Sequence, residues 1–244
     1  MNKELLYLPS MKNNKFSILK KLLFEKKNIV ILPHSNPDGD AVGSCLALME
    51  LLKLYGHKTT VISPNHPPDF LKWVPGFNEI VYYDNNEDLS RTEIENADLI
   101  FTLDFNNLSR IGELEKIVII SNATIVMIDH HQNPENYADL IFSDPEISST
   151  CELLYKIILK LGYEKNINSK ISSCLYLGIM TDTGSFQYPN VTSETHKIVS
   201  KLIDHNINQS EIYNKVYNNS STSKLKVLGI ALNNLIIIWS KHVS

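Results

Sequence analysis

The chain has 244 residues, 43% of them hydrophobic and 20% charged, with a formal net charge of -4. That balance is ordinary for a folded soluble protein and excludes a disordered chain. It also lacks the basic footprint of a protein that tracks long nucleic acid by phosphate contacts, although a short or single-nucleotide substrate stays open. The three cysteines, Cys45, Cys151 and Cys174, are widely spaced and fall in helical stretches. Neither a disulfide framework nor a zinc site follows from that spacing, and buried free thiols in a reducing cytoplasm are the economical reading. The N-terminus has no signal-type apolar core, and the apolar run Leu235 to Trp239 is too short to span a bilayer, so a cytoplasmic protein is expected.

Residues 1–27 read as a lead-in followed by a helix, Phe16 to Lys27. The apolar run Ile29 to Leu32 then predicts a strand. It passes directly into the turn His34-Ser35-Asn36-Pro37-Asp38-Gly39-Asp40, and Val42 to Tyr55 has helical spacing. Gly56 stops that helix, and Thr59 to Ser63 is a second strand, so the first unit is β-α-β and implies parallel strands. Pro64 to Pro75 reads as a loop and Glu79 to Tyr83 as a short strand. Two further strand-length runs, Ala97 to Leu103 and Thr124 to Ile128, each end in aspartate.

Ser149-Thr150-Cys151-Glu152 fits a capping box opening a helix that Gly162 stops. A buried helix over Ile167 to Met180 follows. Three shorter helices come next, at Thr195 to Asp204, Glu211 to Tyr217 and Lys224 to Asn234, capped by Thr192 or Ser193, by Asn208 and by Ser223. Residues 218–223 are the best linker candidate, and Leu235 to Trp239 reads as the start of another strand. The fold class expected is α/β, a doubly wound, mainly parallel sheet with helices on both faces.

In such a sheet the strand ends share one edge, where ligands bind. His34, Asp38 and Asp40 follow the first strand, Asp104 the strand ending at Leu103, and Asp129-His130-His131 the strand ending at Ile128. Asp182, in Thr181-Asp182-Thr183-Gly184-Ser185-Phe186, is aimed at the same edge by its loop. Taken singly, Asn-Pro-Asp-Gly is also a turn, Asp40 a helix cap, and Asp104 and Asp182 turn or helix-end hydrogen bonders. Together, so many carboxylates would raise one another's pKa and destabilise the fold, a difficulty that cations remove. Oxygen ligands with imidazole suit Mn²⁺ or Mg²⁺ better than a thiolate metal. Arg110 follows Asp104 on the same edge and suits a substrate phosphate, although a surface ion pair explains it nearly as well. Ser148, Ser149 and Thr150 are read as capping a helix rather than as a phosphate cradle. Phe186 and Tyr188 could stack on a base but read first as core or rim, while His57, His66, His196, His205 and His242 belong to no motif and read as surface residues.

The four elements, taken in order, resemble the motifs of the DHH phosphoesterases, and their surroundings look most like the branch of oligoribonucleases that also act as pAp phosphatases. The resemblance spans about residues 28–190. It implies a centre of two Mn²⁺ ions, with Mg²⁺ as the alternative. By it, His34, Asp38 and Asp104 hold one ion, while Asp40, Asp104, His130 and Asp182 hold the other, with Asp104 bridging. Asp129 orients neighbouring groups and His131 faces the scissile phosphate. The implied reaction is hydrolysis of short RNA, or of pAp and pApA, by water activated between the metals. A pyrophosphatase or polyphosphatase of the same superfamily is the alternative enzyme, and a metal- or nucleotide-binding module with little activity the alternative of another class. The resemblance further divides the chain into residues 28–217 as the phosphoesterase domain, 218–234 as linker and helix, and 235–244 as the truncated start of a substrate-binding domain. That second domain's glycine-rich loop is missing, since only Gly229 follows Gly184. The apolar run beginning at Leu235 would then be uncovered and favour self-association as a homodimer.

Overall fold

The computed structural model describes residues 14–218 and 222–235. The elements in chain order are α1 (Asn14–Leu22), β1 (Asn28–Leu32), α2 (Gly39–Leu54), β2 (Lys58–Ser63), β3 (Val81–Tyr82), α3 (Glu87–Glu95), β4 (Leu99–Leu103), α4 (Leu114–Ile120), β5 (Thr124–Asp129) and β6 (Leu140–Ser143). Five helices follow: α5 (Thr150–Leu161), α6 (Ser169–Asp182), α7 (Ser193–Ile203), α8 (Gln209–Tyr217) and α9 (Thr222–Asn233). Short 3₁₀ turns join several of them.

The six strands form one sheet in the order β3-β2-β1-β4-β5-β6, and every pairing is parallel. The central strands are almost wholly apolar along their length, buried Thr102 apart, because both of their faces are covered. Successive side chains alternate between two cores. Ile29, Ile31, Leu99, Phe101, Leu103, Val126 and Ile128 face the core containing α2, α5 and α6 residues. Val30, Leu32, Ile100 and Ile125 face the smaller core that α3 and α4 complete through Ile94, Leu114, Ile117 and Val118. This is the doubly wound α/β architecture expected. Its crossovers diverge between β1 and β4, the position where such sheets open a crevice.

Local departures from the sequence reading have local causes. The Glu79–Tyr83 strand shrinks to Val81–Tyr82 between two 3₁₀ turns. The apolar stretch of α4 is helical, with Ile117 and Val118 buried and Ile119 and Ile120 exposed, and α3 has only Ser90 and Ile94 buried. The capping box at α5 is half formed. Ser149 Oγ accepts from the Glu152 N–H, but the Glu152 carboxylate is buried elsewhere, accepting from the Ser148 and Thr195 hydroxyls and pairing with Lys156. Thr192 forms the reciprocal box at α7, while Ser223 lies inside α9 rather than capping it. His57 is buried, not a surface residue, because its Nδ1 accepts from the Lys27 N–H where the chain enters β1. Of the expected C-terminal strand, only Leu235 lies within the described residues; the rest lies outside them, as does His242. All three cysteines are free and buried. Among the described residues, no helix is long and apolar enough to cross a membrane.

Candidate metal centre

Register places the site. Leu32 pairs with Thr102, and Leu103 with Ile128, so carrying the register forward puts His34, Asp104 and Asp129 in one row across neighbouring strands. Asp104 leaves β4 with φ +67°, a left-handed conformation unusual for a side chain other than glycine or asparagine, while its N–H still bonds to the Ile128 carbonyl. That backbone turn carries its carboxylate into the space between the β1 and β5 loops. Strain held at one buried acid points to function.

The remaining acids come from helix ends. Asp38 caps α2, accepting from the N–H groups of Asp40 and Ala41 at 3.0 and 3.1 Å, and stays exposed. Asp40, in the first turn, is only 1% exposed. It is therefore Asp38 that caps the helix, not Asp40. Asp182 is the last residue of α6.

These residues converge on Asp104. Its Oδ2 lies 3.6 Å from His34 Nε2, and its Oδ1 lies 3.6 Å from His130 Nε2. His130 Nε2 is also 3.3 Å from Asp182 and 4.0 Å from Asp40. Three overlapping groups of donors result: His34 with Asp38 and Asp104, Asp40 with His130 and Asp182, and Asp104 with His130 and His131. All nine residues singled out in the sequence lie at this strand edge or beside it.

The donor set fits hard divalent cations. Separations of 3.3–4.0 Å, longer than a well-made hydrogen bond, suit donors arranged around a common ion. Both histidines are oriented for it. His34 Nδ1 lies 2.8 Å from the Ser35 carbonyl and His130 Nδ1 3.4 Å from the Ile147 carbonyl, so each ring anchors one nitrogen on backbone and turns Nε2 inward. His131 differs. Its Nδ1 is held at 2.7 Å by Asp129, which makes it a poor ligand through that atom and leaves it a hydrogen-bond donor.

Electrostatics agree with this division. Burial, and then the charges of Asp104 and Asp182, push the Asp40 carboxyl well above the usual range. Burial also raises Asp182, to about 6, with His130 opposing. For Asp104 burial is outweighed by the His34 interaction and by His130, and the net shift is downward. For His34 burial is outweighed by Asp104 and the Ser35 carbonyl, and its pKa rises. The Asp129 hydrogen bond raises that of His131.

A raised carboxyl pKa penalises the folded state once pH climbs above the unfolded value. In the metal-free protein the Asp182 contribution is absent below pH 4, grows through pH 6 and reaches about 2–3 kcal/mol above it. The metal-free Asp182→Asn variant is accordingly expected to melt higher than wild type at pH 7.5 and level with it at pH 4, by calorimetry. Added Mn²⁺ should reverse the order at pH 7.5.

Three contacts were not anticipated. The N–H groups of Thr150 and Cys151 donate to the two oxygens of Asp40, at 2.6 and 2.9 Å, and the Thr150 hydroxyl donates to Asp104 Oδ1 at 2.9 Å. The start of α5 thus serves a carboxylate of this chain. Arg110 is exposed, near enough to His131 to oppose its protonation, and its carbonyl accepts from the Ser35 N–H, tying its loop to that of His34. Beside them, a shallow cavity of about 160 Å³ is lined by Asn36, Pro64, Asn65, Tyr83, Asp84, Ile111 and Glu113, among others.

Comparison with known proteins identifies the family and the fold. The model of the DHH family, N-terminal domain, matches residues 28–179. The bifunctional oligoribonuclease and PAP phosphatase NrnA of Bacillus subtilis is 31% identical over 191 residues, which is 78% of this chain and 56% of that protein. The chain therefore spans little more than half the length of this relative. An exopolyphosphatase-related protein from Bacteroides fragilis superposes with a TM-score of 0.91 at 40% identity, over 95% of this chain and 68% of that one. A putative family II inorganic pyrophosphatase from Methanococcus jannaschii shares the fold, with a TM-score of 0.57 at 21% identity over 77% of this chain and 60% of that one. With the family model matching more than half the chain on the very strands that carry the acids, the protein belongs to the DHH family.

Proposed function

We propose that the protein is a two-metal phosphoesterase that hydrolyses short RNA or small nucleotides such as pAp and pApA. The observation that carries this reading is Asp104, whose two oxygens face different histidines and so suit a carboxylate shared by two ions. His34, Asp38 and Asp104 would hold one ion; Asp40, Asp104, His130 and Asp182 the other. Mn²⁺ is the preferred assignment for this mixture of carboxylate and imidazole, with Mg²⁺ the alternative. When bound, such a pair supplies an acidified water and neutralises phosphate charge.

The chain's own groups divide the remaining work. Asp129, fully buried, orients His131 and favours its protonated form. A protonated His131 stabilises charge developing on the phosphate or gives a proton to the leaving oxygen. Arg110 binds a substrate phosphate as a fork. The neighbouring cavity suits a ribose or base, because Tyr83 and Pro64 offer apolar surface while Asp84 and Glu113 repel further phosphate. That acidic lining favours a nucleotide over pyrophosphate or polyphosphate. Residues 28–217 would form the catalytic domain, with 218–234 as a linker toward a substrate-binding part. Three buried thiols suit a reducing cytoplasm.

The test is chromatographic: purified protein with Mn²⁺ is offered pApA, a short RNA, pAp and pyrophosphate in separate reactions. Mononucleotides from pApA or RNA, or AMP and phosphate from pAp, are expected. Phosphate from pyrophosphate alone would replace this reading with a pyrophosphatase, and Mn²⁺ binding without any cleavage would leave a binding module.

A further inference from the structure

We propose that Thr150 is a positioning residue that ties Asp40 to Asp104, the carboxylate shared by the two halves of the metal centre. The inference rests on the metal reading above and adds to it a residue that is not itself a ligand. Thr150 is the first residue of α5 and is completely buried. Its N–H and that of Cys151 hold both oxygens of Asp40, and its hydroxyl holds one oxygen of Asp104. One residue therefore grips Asp40 and, on the His130 side, Asp104, the carboxylate that the two halves share, across 110 and 46 positions of sequence.

Each contact does something a ligand cannot do for itself. A buried carboxylate gripped at both oxygens has its plane fixed, so Asp40 meets His130 and Asp182 in one orientation. The amides, at the positive end of a 12-residue helix, also complement the charge of the carboxylate they hold. Asp104 faces a different problem. Rotation about its side chain would exchange the oxygen facing His34 for the one facing His130. The Thr150 hydroxyl selects one arrangement by holding Oδ1 on the His130 side. Thr150 can do so because its backbone is locked in the first turn of α5 and its side chain is completely buried.

The hydroxyl can be separated from the amides. Thr150→Val keeps the shape and both backbone donors to Asp40 but leaves Asp104 Oδ1 without its donor. Thr150→Ser keeps everything except a methyl group. Mn²⁺ titration by calorimetry, with electron paramagnetic resonance to detect a magnetically coupled ion pair, reads the outcome without reference to turnover. Wild type is expected to bind two ions and show coupling. In Thr150→Val binding of the pair should weaken about 10–100-fold, with coupling lost at Mn²⁺ levels that saturate wild type. Thr150→Ser should restore both. Should Thr150→Val not fold, as judged by circular dichroism, Thr150→Ala serves as the second variant lacking the hydroxyl. Titration of a folded hydroxyl-less variant like wild type would overturn the inference, as would equal impairment of Thr150→Ser. Wild type binding no ions would overturn the metal reading itself, and this role with it.

Discussion

Asp104→Asn is expected to lose metal-dependent turnover by about a thousandfold or more, on the order of 4 kcal/mol of barrier, while remaining folded. The two properties separate because of where the residue sits. Its carboxylate faces both histidines, so removing one oxygen's charge weakens both half-sites together. Its backbone is at φ +67°, which asparagine tolerates well, and the amide keeps the volume. Asp104→Ala should lose activity equally but melt lower than Asp104→Asn, because alanine is less suited to the left-handed conformation. Assay of both variants beside thermal melting tests this. Turnover surviving in folded Asp104→Asn would contradict a shared ligand.

Gly178→Ala is expected to destabilise the protein by about 1–3 kcal/mol and to weaken metal binding, although alanine is the better helix former. A methyl group there would lie 2.2 Å from Cys151 Sγ and 2.5 Å from Asp40 Oδ1. α6 can approach α2 and α5 only because this position is bare. Nearby, a side chain on Gly43 would meet the Cys174 carbonyl at 2.5 Å. Adding Cys151→Ala to Gly178→Ala removes the sulfur clash but keeps the 2.9 Å contact with the Cβ of residue 151 and the 2.5 Å one with Asp40. The double variant should therefore regain part of the lost melting temperature and still bind Mn²⁺ weakly. Recovery of Mn²⁺ binding along with melting temperature would show that Gly178 does not act through Asp40.

The sequence made the site legible for one physical reason. Parallel strands deliver their ends to one edge, so acids that follow apolar runs converge however far apart they lie in the chain. His34, Asp104 and Asp129 were found that way, and the turn residues Asp38 and Asp40 with them. Thr150 was not, because a hydroxyl at a helix start already has a local explanation in capping, and its bonds to Asp40 and Asp104 join distant segments. Gly178 was invisible likewise, as a glycine inside an apolar helix shows nothing of the sulfur and carboxylate packed against it. In the fold, β6 and α4 were missed for related reasons. Four residues of strand between polar loops give little periodicity, and Ile117 to Ile120 is as apolar as a strand although it forms a helix.

The strand register has a further consequence, for tolerance to insertion and deletion. Because side chains alternate faces residue by residue, dropping one residue within β4 would exchange its two cores and retract Asp104 by about 3.3 Å from its neighbours. The same loss in the 64–80 connection would leave the ladders of β1, β4 and β5 intact. Single-residue deletion scanning should therefore divide the chain sharply. The strands would behave as measuring rods whose lengths are fixed by the chemistry at their ends, whereas a loss in the 64–80 connection, which buries Leu71, Val74 and Phe77, would cost packing and leave the register alone.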